Sequence, residues 1–171
     1  MPHATMKSPT VPIWLPRRLH DEMRDLARRA YPNETGGALI GLDAGNGLVV
    51  TALIGPGPQA LHEPHAFTPD YEYQDEDIER IYVRSGRCHT YLGDWHSHPG
   101  GISALSTKDK RALRVIASHR PARAPAPVMG ILANGDPWCL SIWRCFRRHL
   151  RAGRLFSRYE EMQILEVLTL R

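Results

Sequence analysis

His96 and His98 stand one residue apart in the run Gly93-Asp94-Trp95-His96-Ser97-His98-Pro99, and ten residues separate His98 from Asp109. On an extended strand, side chains at i and i+2 leave from the same face, so the two imidazoles can converge on one point. Pro99-Gly100-Gly101 breaks the strand and frees the chain to turn back. A helix beginning near Thr107 would carry Asp109 in its first turn. Two imidazoles and one carboxylate suit a catalytic Zn²⁺ whose fourth position is left to water.

Such chemistry needs two further groups. A base must take a proton from the attacking water, and a donor must support the oxyanion on the attacked carbonyl. Glu34, at the junction of a helix stop and a buried strand, is a candidate base. Ser106, three residues before Asp109, offers a hydroxyl at the start of the acid-bearing helix. Plainer readings stay open for each. A His-x-His pair also arises by chance on surface strands, Ser106-x-x-Asp109 also fits a capping box, and Glu34 also fits a loop-edge carboxylate. Asp94 is left without a role. His3, His20, His62, His65, His89, His119 and His149 show no ligand spacing, although the loop holding His62 and His65 can approach the site.

The elements that must position these residues follow from periodicity. Leu19, Met23, Leu26, Ala27 and Ala30 recur at helical spacing, and Pro32-Asn33 stops that helix. Ala38 to Leu42 reads as a buried strand, and Leu48 to Ile54 pairs with it as a hairpin. Residues 59–69 read as an ordered loop. Tyr71 to Ser85 reads as an amphipathic helix closed by Gly86, His89 to Ser97 as the histidine strand, and Thr107 to His119 as a helix. Arg120 to Pro127 is a proline-rich loop. Val128–Ala133 and Trp138–Trp143 form a hairpin around the turn Asn134-Gly135-Asp136-Pro137. Leu155, Tyr159, Met162, Leu165 and Leu168 predict a C-terminal helix, with Ser157 and Glu160 as its capping box.

At 171 residues, 42% of them apolar, the chain reads as one domain with a real core. No apolar run approaches the ~20 residues a bilayer crossing needs, and the first residues do not resemble a signal peptide. Cys88, Cys139 and Cys145 form an odd set without Cys-x-x-Cys spacing, which argues against a disulfide framework and for a reducing, cytoplasmic setting. The net charge is +4 but is unevenly spread: six acids lie between Asp70 and Glu79, and six arginines between Arg144 and Arg158. There is no His-Glu-x-x-His and no Pro-Cys-x-x-Cys, which argues against a zincin and against a base deaminase.

Taken together, Glu34, His96-Ser97-His98-Pro99, six intervening residues, Ser106, two more and Asp109 resemble the full JAMM motif of the MPN+ zinc metallopeptidases. The likeness covers roughly Leu15 to Cys145, and no position departs from the pattern. It implies that His96, His98 and Asp109 bind one Zn²⁺ per chain, that Glu34 is the general base and that Ser106 supports the oxyanion. It implies an α/β (α+β) fold: a single JAB/MPN domain whose curved, mostly antiparallel sheet is flanked by helices on both sides. The domain would occupy residues 13–146, after a flexible arm at 1–12 and before a basic connection and C-terminal helix at 147–171. The family cleaves isopeptide or peptide bonds after the C-terminus of ubiquitin or related proteins, so the implied partner is a ubiquitin-like protein or its conjugates. The build is similar to prokaryotic members encoded in antiphage operons beside E1- and E2-like proteins. Two alternatives remain. One is a peptidase maturing a sulfur-carrier protein. The other, less favoured, is a non-catalytic interaction or nucleic-acid module built on the arginine cluster. No membrane partner is expected.

Overall fold

The computed structural model describes the backbone of residues 11–135, 137–152 and 155–170, and the side chains of 11–135, 137–146 and 161–170. Residues 1–10 of the expected arm, Asp136 of the expected turn, and the side chains of five of the six C-terminal arginines lie outside the described residues. In chain order the elements are β1 (Pro12–Pro16), α1 (Arg17–Ala30), β2 (Gly36–Asp43), β3 (Leu48–Ile54), β4 (Leu61–Glu63), β5 (Ala66–Thr68), α2 (Tyr71–Arg84), β6 (Thr90–His98), α3 (Thr107–Ser118), β7 (Val128–Ala133), β8 (Cys139–Ala152), β9 (Leu155–Ile164) and β10 (Glu166–Leu170).

The long strands form one mixed sheet in the order β10-β1-β3-β2-β6-β7-β8-β9. Pairing is antiparallel at β3–β2, β2–β6, β7–β8 and β8–β9, and parallel at β10–β1, β1–β3 and β6–β7. Register shifts on β2, at Ile40/Gly41 toward β3 and at Leu39/Ile40 toward β6, bend the sheet beside the site.

Side-chain alternation assigns the helices to opposite faces. Leu39 of β2 and Leu132 of β7 pack with Leu19, Met23 and Ala27 of α1. Their neighbours Ala38 and Ile40 pack with Ile78 and Ile81 of α2, while Met129 and Ile131 pack with Leu113 and Ala117 of α3. So α1 covers one face, and α2 and α3 share the other. Each fully buried Leu or Met of this kind contributes about 1.5–3 kcal/mol.

The helix starts have local causes. The Asp70 carboxylate accepts from Tyr73 N–H at 3.2 Å and caps α2. α3 begins with the capping box described below.

Two expectations are corrected. The 59–69 loop contains a hairpin, with β4 and β5 paired Leu61 to Thr68, His62 to Phe67 and Glu63 to Ala66. The expected C-terminal helix is absent: Leu155–Ile164 pairs in register with β8, and Glu166–Leu170 runs parallel to β1. Ladder hydrogen bonds to β8, the preceding strand, and to β1, at the other end of the chain, outweigh a spacing that also suited a helix. Leu165, between the two strands, is buried in the α1-side core.

Candidate metal centre and active site

β6 delivers the histidines. Its alternation turns Trp95 and Ser97 toward the α1 face, and His96 and His98 toward the face shared by α2 and α3. Gly36 sits opposite His96 in the adjacent strand. A Cβ there would collide with the Trp95 carbonyl and crowd the His96 Cβ, so a glycine is required for strand and histidine to lie this close.

Ser97, between the two histidines, is fully buried. Its N–H donates to the Thr35 carbonyl at 2.7 Å, and its Oγ accepts from Thr35 N–H at 3.0 Å. This pair of bonds ties Thr35, and hence Glu34, to the histidine strand. Sequence reading gave Ser97 no role. Its one signal was a hydroxyl between apolar-facing positions of a buried strand.

Glu34 is held by its main chain. Its N–H donates to the Glu63 carbonyl at 2.8 Å, and its carbonyl accepts from His62 Nδ1 at 2.9 Å. The β4–β5 hairpin is therefore a strap over Glu34. The carboxylate is half-buried. Burial raises its pKa, and His96 and His98 pull in the opposite direction.

α3 supplies the third potential ligand. Ser106 Oγ accepts from Asp109 N–H at 3.1 Å, and Ser106 N–H donates to Asp109 Oδ2 at 2.7 Å. This capping box fixes the carboxylate, and Asp109 as a whole is only 7% exposed. Burial works to raise the Asp109 carboxyl. Hydrogen bonds from His96, His98 and Ser106 outweigh it and hold the group well below the usual carboxylate range. Conversely, Asp109 raises the His98 pKa against the effect of burial.

His96 Nε2 lies 3.1 Å from His98 Nε2 and 3.2 Å from Asp109 Oδ1, and His98 Nε2 lies 3.6 Å from Asp109 Oδ2. Ligands about 2.05 Å from a tetrahedral ion are themselves about 3.3 Å apart. The two edges at His96 fit that spacing, His98 meets the other carboxylate oxygen, and one ligand atom from each residue lies within 4.8 Å of the others, so one ion can be held here. His98 Nδ1–H donates to the Ile102 carbonyl at 3.0 Å, which fixes the tautomer and leaves Nε2 as the ligand atom. No Lys or Arg pairs with Asp109 among the described residues.

A cavity of about 320 Å³ joins these groups; Glu34, His65, His98, Ser106, Lys108 and Asp109 line it. Four of these, Glu34, His98, Ser106 and Asp109, are the site residues expected from the sequence, His65 is expected near them, and Lys108 carries no signal in the sequence that marks it. Asp94 accepts a 2.6 Å bond from the Tyr91 hydroxyl. Burial raises both groups. Cys145 packs in the α3-side core, whereas Cys88 and Cys139 are exposed. Arg144 pairs with Asp43 at 3.1 Å and stacks on Phe146.

Residues 16–146 match Prok-JAB, the prokaryotic homologs of the JAB domain. The chain belongs to the prokaryotic JAB family. It is similar to the "Probable metalloprotease y4qB" of Sinorhizobium fredii, at 40% identity over 86% of this chain and 91% of that one. It is also similar to a "CD-NTase/cGAS isopeptidase" of Enterobacter hormaechei, at 30% identity over 68% of this chain and 64% of the relative. The solved structure of DSY2949 from Desulfitobacterium hafniense shares the fold, with a TM-score of 0.64 over 92% of each chain at 22% identity. The JAB-domain protein is a JAMM-type peptidase, and its His-His-Asp cluster fits a metal site. No helix among its described residues is long and apolar enough to cross a membrane.

Proposed function

We propose that this JAB-domain protein is a zinc-dependent isopeptidase or peptidase that cleaves after the C-terminus of a ubiquitin-like protein. The observation that carries the reading is the convergence of His96, His98 and Asp109, the last two lining a cavity that Glu34 and Ser106 also line.

His96 and His98 through Nε2, and Asp109 through its carboxylate, would hold the zinc. Zinc bound there would supply a water acidified to about neutrality and a Lewis acid for the scissile carbonyl. Glu34 accepts the proton of the attacking water and returns it to the leaving amine. A base that must later act as an acid works best near the operating pH, and the burial of Glu34 acts in that direction. Ser106 spends only a lone pair of its hydroxyl on the α3 cap, so its O–H remains free to donate to the oxyanion.

An extended, small-residue tail can add beside the β4–β5 hairpin, main-chain hydrogen bonds supplying affinity. The Enterobacter relative's name supports a protein conjugate as substrate. In this reading E1- and E2-like proteins of the same operon are partners, the setting is antiphage defence, and the compartment is the cytoplasm.

The test is cleavage of a ubiquitin-like protein fused through its C-terminus to a reporter. Wild type should cleave it, and Glu34→Gln should lose about 10²- to 10⁴-fold in kcat. Both should keep roughly one zinc per chain by elemental analysis. Protein purified without chelator and lacking zinc would overturn the metal assignment.

A further inference from the structure

Lys108 lines the cleft with Glu34, His98 and Asp109, yet the mechanism gives it nothing to do. It is exposed, in the first turn of α3, one residue before Asp109. Asp109 is engaged by the two histidines, and among the described residues no carboxylate pairs with Lys108. A cation in the first turn of a helix also opposes the macrodipole, so this position is unfavourable for the fold taken alone. With Asp109 committed to the histidines and Glu34 to the attacking water, Lys108 and the positive end of α3 are left to meet an anion brought by the substrate.

We propose that Lys108 reads a carboxylate on the leaving-group side of the scissile bond and thereby selects substrates. The inference rests on the peptidase reading of this cavity. The side follows from Glu34. The leaving amine must come within hydrogen-bond reach of that carboxylate to be protonated. Among the described residues Lys108 is the one Lys or Arg lining the same cavity, and its field reaches Glu34. In a peptide the carboxylate belongs to the first or second residue after the cleaved bond. In a conjugate it neighbours the acceptor lysine.

The test uses zinc-loaded Glu34→Gln protein, which binds without turnover, and two fluorescein-labelled peptides. Both carry Gly-Gly before the scissile bond, followed by Glu-Glu in one and Gln-Gln in the other. By anisotropy the acidic peptide should bind about five-fold tighter, as expected for a charge-assisted bond at a half-open site. Adding Lys108→Met, or raising salt to about 0.5 M, should erase that preference. Adding Lys108→Glu should invert it. In cleavage by the parent protein, Lys108→Met should raise KM for the acidic peptide more than it lowers kcat. Equal binding of the two peptides, no binding of either, or a preference that survives Lys108→Met overturns the inference and leaves the peptidase site standing. Fusion cleavage indifferent to Glu34→Gln overturns the peptidase reading, and this inference with it.

Discussion

The two walls of the cleft are built on different rules. On the α3 wall the side chains themselves are held: Ser106 and Asp109 each accept from the other's N–H, Asp109 meets both histidines, and His98 is anchored on the Ile102 carbonyl. On the hairpin wall only the main chain is held: Glu34 is strapped through its N–H to the Glu63 carbonyl and through its carbonyl to the His62 ring, and its carboxylate makes no hydrogen bond or ion pair among the described residues. The first arrangement presents ligand atoms at fixed separations. The second presents a proton acceptor whose protonation is set by burial and nearby charge. Ser97 and Thr35 join the walls, so the distance between base and ligands is set by backbone geometry.

The largest effect is expected from breaking the α3 wall without unfolding it. Asp109→Asn keeps an oxygen that can accept from Ser106 N–H, but it removes the ligand charge. Zinc retention should fall and cleavage should drop to background, and the metal-free protein should melt lower at pH 7, because the ionised Asp109 carboxylate is the form that the folded state favours. Elemental analysis, reporter cleavage and thermal unfolding by circular dichroism check the three parts. An Asp109→Asn protein that keeps its zinc would show that this wall does not bind the metal.

A smaller effect separates the two jobs of Ser106. Replacing an N-cap serine by alanine costs about 1 kcal/mol, and by glycine only a few tenths. Both substitutions remove the hydroxyl. If the O–H acts on substrate, Ser106→Ala and Ser106→Gly should lose kcat alike, by about 10²-fold, although only the alanine variant loses appreciable stability. If cleavage instead follows stability across the pair, Ser106 is a cap and nothing more.

The same contrast explains what the sequence could reveal. The α3 wall is local: His96 and His98 share a face by alternation, Pro99 ends the strand, and Ser106-x-x-Asp109 is a helix start within four residues. The hairpin wall is made across space. Its strands are three residues long and flank Pro64, and nothing in Leu61-His62-Glu63 announces that it will hold Glu34. The C-terminal strands failed for a related reason. Leu155, Tyr159, Met162, Leu165 and Leu168 sit three or four apart, a spacing that a helix would bury on one face. Their strand state is decided by pairing with β8, the strand just before them, and with β1, at the other end of the chain. The α1-side core was legible because Leu19, Met23 and Ala27 carry their own period.

The smallest effect tests the hairpin wall through stability. Burial raises the Glu34 pKa in the folded protein above its value in the unfolded chain. Between those two values the native state keeps a proton that the unfolded state has lost, so stability falls as pH rises through that window. Below the ordinary carboxylate range both states are protonated and the penalty vanishes. Above the raised pKa it is fully present. Glu34→Gln has no charge to desolvate. In metal-free protein it should therefore melt higher than wild type at pH 7, by about 1–3 °C after allowance for partial solvent screening, and the gap should close near pH 4. Adding zinc should narrow the gap at pH 7, because a cation beside Glu34 favours the ionised form. A gap that is independent of pH would mean that Gln gains through packing, and that the Glu34 carboxylate is as well solvated as one on the surface.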